Sequence, residues 1–510
     1  MKYRSTRGQI EGQSFESVVL EGLAADGGLY IPEQLPALPL DWQSAWSKLT
    51  FAELATELIS LFVGDDISHS DVAVLVAKSY STFNTADVTP LVSLDPSTNT
   101  HILELFHGPT FAFKDVALQF LGNLFEFFLE RRNAHSPGHK ITVVGATSGD
   151  TGSAAIYGLR GKKNVSVFIL HPKGRVSPIQ EAQMTTVLDD NVHNVSVTGT
   201  FDDCQDIVKQ LFGRPAFKKE HSLGAINSIN WARILAQITY YFYAYFALVR
   251  QGIKDPKPVF VVPSGNFGDI LAGFYARSLG LPVGKLVIAT NANDILDRFL
   301  KSGRYEKNSE QGVLATPSPA MDILVSSNFE RFLWYLARDY EVPASVTNHE
   351  QREAQAGEII AQWMDKLKSE GSFAVSPQAL EAARQIFWSS NCNDAQTYDT
   401  IAKYYAREPS AYLLDPHTAV GVYVAETLRS EINRLSDSDM HTICLSTAHP
   451  AKFSEAVLKA VNENGHHLDF QSILPPPFVG LLEKPRRCFE CDNSVDAVAD
   501  YIVKVAAGDE

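Results

Sequence analysis

"VFVVPSGNFGDILAG", residues 259–273, passes from an unbroken apolar run through Gly265, Asn266, Phe267, Gly268 and Asp269 into a run of small and apolar residues. A short apolar run ended by a turn reads as a strand covered on both faces, which is the habit of parallel sheets. The same strand–turn–helix grammar extends in both directions. "KITVVGAT" (140–147), "NVSVFILHP" (164–172), "VHNVSVTG" (192–199), "KLVIATN" (285–291) and "HTICLSTA" (441–448) read as strands. Between and around them, "DVALQFLGNLFEFFLERR" (115–132), "GSAAIYGLRG" (152–161), "SPIQEAQMTTVL" (177–188), "FDDCQDIVKQLF" (201–212), "ILAGFYARSLG" (270–280) and "KFSEAVLKAV" (452–461) read as helices. Alternation of this length predicts an α/β fold with mostly parallel sheets covered by helices. Ligands in such sheets sit beyond the carboxyl ends of the strands. The first hundred residues read as a largely helical accessory region, with a turn-rich "GLAADGGLYIPEQLP" at 22–36, and about 292–440 reads as mostly helical and charged, with "DPHTAVG" (415–421) opening a helix.

At 510 residues the chain has room for two or more domains, and its 45% apolar and 20% charged content is ordinary for a globular protein. A net charge of −15 argues against nucleic acid or an anionic membrane surface as the main partner. An anionic ligand would have to be held by helix N-termini and a few fixed cations. The apolar run 234–249 is too short to span a bilayer and is interrupted by Gln237 and Thr239, so it reads as a buried helix. The opening "MKYRSTRGQIEG" lacks the apolar core of a signal peptide, which predicts a cytoplasmic protein. Five cysteines are scattered except for the "CFEC" of 488–491, a lone C-x-x-C without metal-spaced histidines, so no metal site is expected and the thiols are read as reduced.

Three further stretches carry chemistry. Glycines around Asn266 and Phe267 let a backbone approach a phosphate closely at a helix start, although any tight βα turn uses the same residues. "ATSGDTG" (146–152) offers Thr147, Ser148, Asp150 and Thr151 around Gly149 at a second helix start, which suits a carboxylate, or else simple capping. Neither loop has the lysine of a P-loop, and no G-x-G-x-x-G follows a strand, which argues against ATP or a nicotinamide dinucleotide. "HGPTFAFKD" (107–115) places Lys114 among phenylalanines, where a lysine either snorkels to water or is held with a lowered pKa for Schiff-base chemistry.

Together, "PTFAFKD", "ATSGDTG", "PSGNFGD" and "STAHPAKF" (446–453), in this order, resemble threonine synthase, as do "YRSTRGQ", "GLAADGGLYIPE", "DDNVHNVSVTGTFDDCQ", "NSINWARILAQ" and "DPHTAVG". The resemblance spans nearly the whole chain and is closest to the longer branch that includes the fungal enzymes. It implies pyridoxal-phosphate fold type II, two open mostly parallel sheets covered by helices, with an N-terminal accessory region at 1–99. It further implies a large cofactor-binding domain at 100–139 and 232–480, a small substrate-closing domain at 140–231 and a C-terminal segment at 481–510. By the same resemblance pyridoxal 5′-phosphate is the cofactor and Lys114 its anchor, with Gly265, Asn266, Phe267, Gly268 and Asp269 around its phosphate and Thr447 at its ring nitrogen. Thr147, Ser148, Gly149 and Thr151 would line the substrate carboxylate, and Ser228, Asn230 and Arg233 the substrate phosphate. The implied reaction is O-phospho-L-homoserine plus water giving L-threonine plus phosphate, that of a carbon–oxygen lyase. A phospho-lyase giving 2-oxobutyrate and a non-catalytic paralogue are the alternatives. A monomer is expected from the longer branch, with a dimer as the other reading.

One departure stands out. Shorter members of the family have asparagine near the cofactor's ring oxygen where this chain has Asp150, and a carboxylate there would repel a phenolate. Protonation of Asp150, or its use as a helix cap, would resolve the conflict. His417 and Thr418 are further candidates for the cleft.

Overall fold

The computed structural model describes residues 1–308, 310–435 and 440–508. Residues 309 and 436–439 of the expected helical region, and 509–510 of the expected C-terminal segment, lie outside the described residues. Among the described residues two larger sheets form. The first has six strands in the order Phe387–Asn391, Lys285–Thr290, Val259–Pro263, Thr442–Ser446, Thr100–Glu104 and Leu91–Asp95. All its pairings are parallel except the last, where Leu91–Asp95 runs antiparallel to its neighbour. The second has five parallel strands, Phe489–Asp492, Val192–Thr198, Val165–Pro172, Ile141–Ala146 and Leu223–Gly224. The chain thus has the α/β architecture of two open, mostly parallel, helix-covered sheets. Tyr3–Ser5 and Tyr30–Pro32 form a separate antiparallel pair in the N-terminal region.

The predicted central elements appear where the periodicity puts them. The edges differ. Phe387–Asn391 is a strand inside the region expected to be mostly helical, and the edge strands Leu91–Asp95 and Phe489–Asp492, together with Thr100–Glu104 one place in from the edge, are not among the strands read from the sequence. Edge strands need apolar alternation on one side only and are short, so their pattern is weak. The C-terminal strand lies beside Val192–Thr198, and Val498 and Ile502 of the helix Val495–Ala507 join the apolar cluster that packs this sheet.

The apolar helix Trp231–Arg250 is buried on nearly every face, including Gln237 and Thr239. No helix among the described residues is long and apolar enough to cross a membrane, and none of their His, Cys, Asp and Glu side chains group as a metal site would require. All five cysteines are free.

Two helices link the sheets, Lys114–His135 and Asp150–Leu159. They touch through glycine: a Cβ on Gly122 would lie 1.9 Å from the Gly158 carbonyl oxygen, and one on Gly158 would lie 2.4 Å from that of Leu118. Backbone faces backbone here, so neither partner can swing aside. Gly122→Ala is therefore expected to destabilise the protein by about 3 kcal/mol, at the upper end of overpacking costs. The check is the urea-unfolding midpoint; an unchanged midpoint would show that the helices separate freely.

Candidate active site

The phosphate-cradle loop follows the strand Val259–Pro263 and enters the helix Gly268–Ser278. Its carbonyls face away from the cleft. Gly265 O accepts from Ser326 Oγ at 2.7 Å, and Asn266 O accepts from Asn328 N and Nδ2, both at 3.0 Å. Phe267 holds a left-handed conformation (φ 63°), uncommon for a residue with a Cβ, and its ring is buried against Phe329, Phe332 and Phe387. With the carbonyls outward, the N–H groups of Gly265, Asn266, Phe267 and Gly268 have no acceptor among the described residues. A run of bare N–H groups at a helix start is an anion site. Gly265 has no room for a side chain, since a Cβ would meet Ala320 O and Met321 Cα at 2.9 Å.

Asp269 departs from expectation. Its carboxylate accepts from Tyr240 Oη at 2.5 Å and Tyr241 Oη at 2.9 Å, on the helix Trp231–Arg250. Burial raises its pKa to about 6 against the lowering effect of those hydroxyls. The side chain thus braces two helices and does not face the cradle.

His417 and Thr418 also turn from the cleft. Asp415 accepts from His417 Nδ1 at 2.9 Å and from the Thr418 hydroxyl, which is 3.0 Å from Ser446 Oγ; His417 Nε2 accepts from Ala320 N at 3.1 Å. This buried network fixes the backbone at 320 that walls Gly265.

In the second loop, Thr147 Oγ1 accepts from Gly149 N at 2.9 Å and Gly152 N at 2.8 Å, so capping claims that side chain. Gly149 has φ 146° and contacts Gln180 closely enough to exclude a Cβ. The half-buried Ser148 and Thr151 hydroxyls have no hydrogen bond to the described residues. Asp150 is buried, and its Oδ1 lies 2.8 Å from both Lys452 Nζ and Gln180 Nε2. Burial opposes its ionisation, but the charges of Lys452 and Lys114 outweigh it and hold the carboxyl well below the usual carboxylate range. Both routes anticipated for Asp150, protonation and capping, give way to an ion pair. Lys452, five residues beyond Thr447, has no role in the reading of the sequence.

Lys114 opens its helix, and the backbone N–H of the preceding Phe113 donates to Thr447 O at 2.8 Å. That bond sets the lysine beside the loop following the strand Thr442–Ser446, whose neighbour in the sheet leads into the cradle. Lys114 is buried, with its amine 5.6 Å from the Phe113 ring centre and no hydrogen bond or ion pair among the described residues. Burial brings its pKa down to about 8; Asp150 and Asp115 pull it up, while Arg233 and Lys452 push it down. The Thr447 side chain is buried and likewise makes no hydrogen bond to the described residues.

Arg233 lies near enough to Lys114 to affect its charge and is itself buried. Among the described residues it pairs with no carboxylate: Nη1 donates to Ile226 O at 3.2 Å and Nε is unpartnered. A buried guanidinium with spare donors has the chemistry to take an anion. Ser228 Oγ stands 3.4 Å from Ser327 Oγ, which reaches Asn266 Oδ1 at 3.2 Å and so connects this stretch to the cradle. Asn230 is used otherwise, since Oδ1 caps its helix at Ala232 N (3.1 Å) and Nδ2 donates to Val19 O (2.9 Å).

The comparisons with known proteins fit this arrangement. The family model described as threonine synthase N terminus matches residues 2–80, pyridoxal-phosphate dependent enzyme matches 84–362, and threonine synthase, C-terminal matches 418–502. Threonine synthase of Schizosaccharomyces pombe is 56% identical over 515 residues, covering 98% of each chain. The chain belongs to the threonine synthase family. It is a pyridoxal-phosphate-dependent enzyme. Threonine synthase of Saccharomyces cerevisiae is 55% identical, covering 93% of this chain and 91% of that one. The solved yeast threonine synthase matches with TM-score 0.92 at 52% identity, and PLP-bound threonine synthase from Brucella melitensis with 0.87 at 40%, each covering 99% of both chains.

The donor set fits pyridoxal phosphate: a run of bare N–H groups for its phosphate and a buried lysine of lowered pKa for its aldehyde. Gly265→Ala is expected to weaken cofactor binding at least about tenfold, because the clash is with backbone and the cradle must shift. Equilibrium dialysis of the stripped protein measures it; unchanged affinity would show that the cradle lies elsewhere.

Proposed function

We propose that this chain converts O-phospho-L-homoserine and water into L-threonine and phosphate, with the site divided between two anion-binding places. The observation that carries the reading is Arg233, a buried guanidinium without a carboxylate, within electrostatic reach of Lys114. The cradle at 265–268 accounts for the cofactor phosphate, so a second anion site beside the reactive amine calls for a substrate with a phosphate of its own.

In this reading the N–H groups of Gly265, Asn266, Phe267 and Gly268 hold the cofactor phosphate, and Lys114 bonds the cofactor through Nζ. Once bound, the cofactor supplies an electron sink that stabilises negative charge at the substrate's Cα and Cβ. The buried Thr447 hydroxyl would serve the ring nitrogen; being neutral, it would leave that nitrogen less protonated than a carboxylate would, which suits elimination and replacement better than transamination. Ser148, Thr151 and the backbone at Gly149 receive the substrate carboxylate at the start of the helix Asp150–Leu159. The Lys114 amine, when neutral, would take the proton from the substrate's Cα and then one from Cβ. Arg233 and Ser228 would grip the phosphate, which leaves Cγ with the electron pair of the broken C–O bond; the two protons taken from Cα and Cβ are returned to Cγ and Cα, the hydroxyl of water bonds Cβ, and water's remaining proton leaves with the phosphate. Asn230 positions this loop through its cap, and Asp269 and Thr147 are structural.

The sheet of Val259–Pro263 forms the large cofactor-binding part, and that of Ile141–Ala146 the small substrate-closing part. Five unpaired cysteines support a cytoplasmic setting.

Incubation with O-phospho-L-homoserine should release threonine and phosphate in equal amounts; 2-oxobutyrate with ammonia would mark a phospho-lyase instead. Lys114→Ala is expected to lose both phosphate release and the protein's visible absorbance with added cofactor, and retention of both would place the anchor elsewhere. Arg233→Ala is expected to weaken binding of the phosphorylated substrate by about a hundredfold while changing cofactor affinity little. Equal losses of the two affinities would assign Arg233 to the cofactor.

A further inference from the structure

Lys452 is fully buried, an expensive place for an ammonium unless it is paired. Its Nζ lies 2.8 Å from Asp150 Oδ1 and donates to Thr110 O at 2.7 Å. The pair spans the two sheets. Asp150 opens a helix that follows the strand Ile141–Ala146, whereas Lys452 stands beyond the strand Thr442–Ser446. Flanking residues aim both partners: Gln180 Nε2 donates to the same Asp150 oxygen at 2.8 Å, and Gln183 Nε2 donates to the Thr110 carbonyl at 3.1 Å.

The charged groups that face Lys114 are few. Asp150 comes from the second sheet, Arg233 from the helix Trp231–Arg250, Lys452 from the turn beyond Thr447, and Asp115 from its own helix. Asp115 is occupied by Thr110, accepting from its N–H at 2.8 Å and its hydroxyl at 2.7 Å. Asp150 is thus the carboxylate from across the cleft that could capture the Lys114 ammonium, and Lys452 already holds it.

We propose that Lys452 is a positioning residue for Lys114: by claiming the Asp150 carboxylate it keeps that carboxylate from locking the Lys114 amine in its charged form. The neutral amine is the form that reacts. Its lone pair attacks the cofactor's aldehyde carbon, the nitrogen's two hydrogens leave with the aldehyde oxygen as water, and a C=N bond remains. The same pairing answers the conflict at Asp150, because a carboxylate bonded to an ammonium presents little net charge to a neighbouring phenolate. This inference rests on the reading of Lys114 as the anchor.

The test uses the full chain stripped of cofactor. Pyridoxal phosphate is added between pH 6 and 10, borohydride traps the bond formed, and peptide mapping quantifies the label on Lys114. For the unsubstituted protein the capture rate should rise with a midpoint near pH 8, where burial places the amine. Lys452→Met should move that midpoint up by about one pH unit, the usual effect of an uncompensated carboxylate nearby. Lys452→Arg should leave it in place, since the charge is kept. Asp150→Asn should move it down, and the Lys452→Met, Asp150→Asn double variant should return it close to the original. A merely structural role for Lys452 would lower the amount of competent protein without moving the midpoint. An unmoved midpoint in Lys452→Met, a rise in Asp150→Asn, or a double variant displaced as far as Lys452→Met would each overturn the proposal. Should Lys452→Met fail to fold, Asp150→Asn alone still decides it. Label on a different lysine would instead overturn the anchoring role of Lys114.

Discussion

An amine that is to react with a carbonyl has to be out of water yet able to lose its proton, and in the proposed reading much of this structure answers to that demand at Lys114. Burial supplies the first part, since removing the hydration of an ammonium favours the neutral form. Position supplies more. Lys114 is the first residue of a long helix, at the end where the backbone dipoles present positive potential, so a charge on its amine is disfavoured further. Two other helix starts belong to the same site, at Asp150 and at Gly268. All three lie beyond loops at the carboxyl ends of strands or beside them, because parallel βα units put every helix start on that side. Positive potential that hinders a bound proton also attracts anions. One feature of the topology therefore tunes the amine and draws in phosphate and carboxylate, although the chain as a whole carries a net charge of −15.

Holding such a site open requires residues that never touch a ligand. The cradle's N–H groups can face inward only while its carbonyls are satisfied outside, and Ser326 and Asn328 meet that need. Asn328 is in turn held by Arg331, whose buried guanidinium also reaches the carbonyls of Tyr30 and Ile229. A single side chain thereby ties the N-terminal region, the loop before Arg233 and the cradle support together. Hydrogen bonds from a charged donor are worth about 1.5–3 kcal/mol each, so this junction is strong as well as central. Seen this way the N-terminal region is part of the wall of the site, and Asn230, bonded to Val19, belongs to the same junction.

The alternation of apolar runs and small-residue turns was enough to read the central strands, since strands covered on both faces carry an unmistakable pattern. Phe387–Asn391 and Phe489–Asp492 were not legible, because a short edge strand owes its existence to a partner more than a hundred residues away in the first case and nearly three hundred in the second. At the site, the resemblance to threonine synthase is what brings together Lys114, the cradle and the 147–152 loop. What it could not settle was which way each polar side chain turns. Thr147 and Asn230 went to helix caps, Asp269 to two tyrosines, and His417 and Thr418 to Asp415. Capping residues and ligand-binding residues are the same types at the same helix positions, so local sequence does not separate them. Lys452 was missed for the opposite reason. Its partner Asp150 is about three hundred residues away, and only the folded chain makes a buried lysine out of the "AKF" in a helix-opening turn.

The geometry between the sheets follows from backbone contact more than from the side chains in the cleft. Gly122 is eight residues from Lys114, and Gly158 is eight residues from Asp150. At 1.5 Å of rise per residue, each functional helix start therefore stands roughly 12 Å from the point where the two helices touch. Because that contact is backbone on backbone, it resists sliding, while the ends of the helices retain whatever freedom their loops allow. The pair Asp150–Lys452 spans the gap at the far end, so that an interaction setting the charge state of the amine is also one that joins the two sheets. On the proposed reading, a carboxylate at Asp150 without Lys452 beside it would raise the proton affinity of the Lys114 amine, which would tie this contact between the sheets to the charge of that amine.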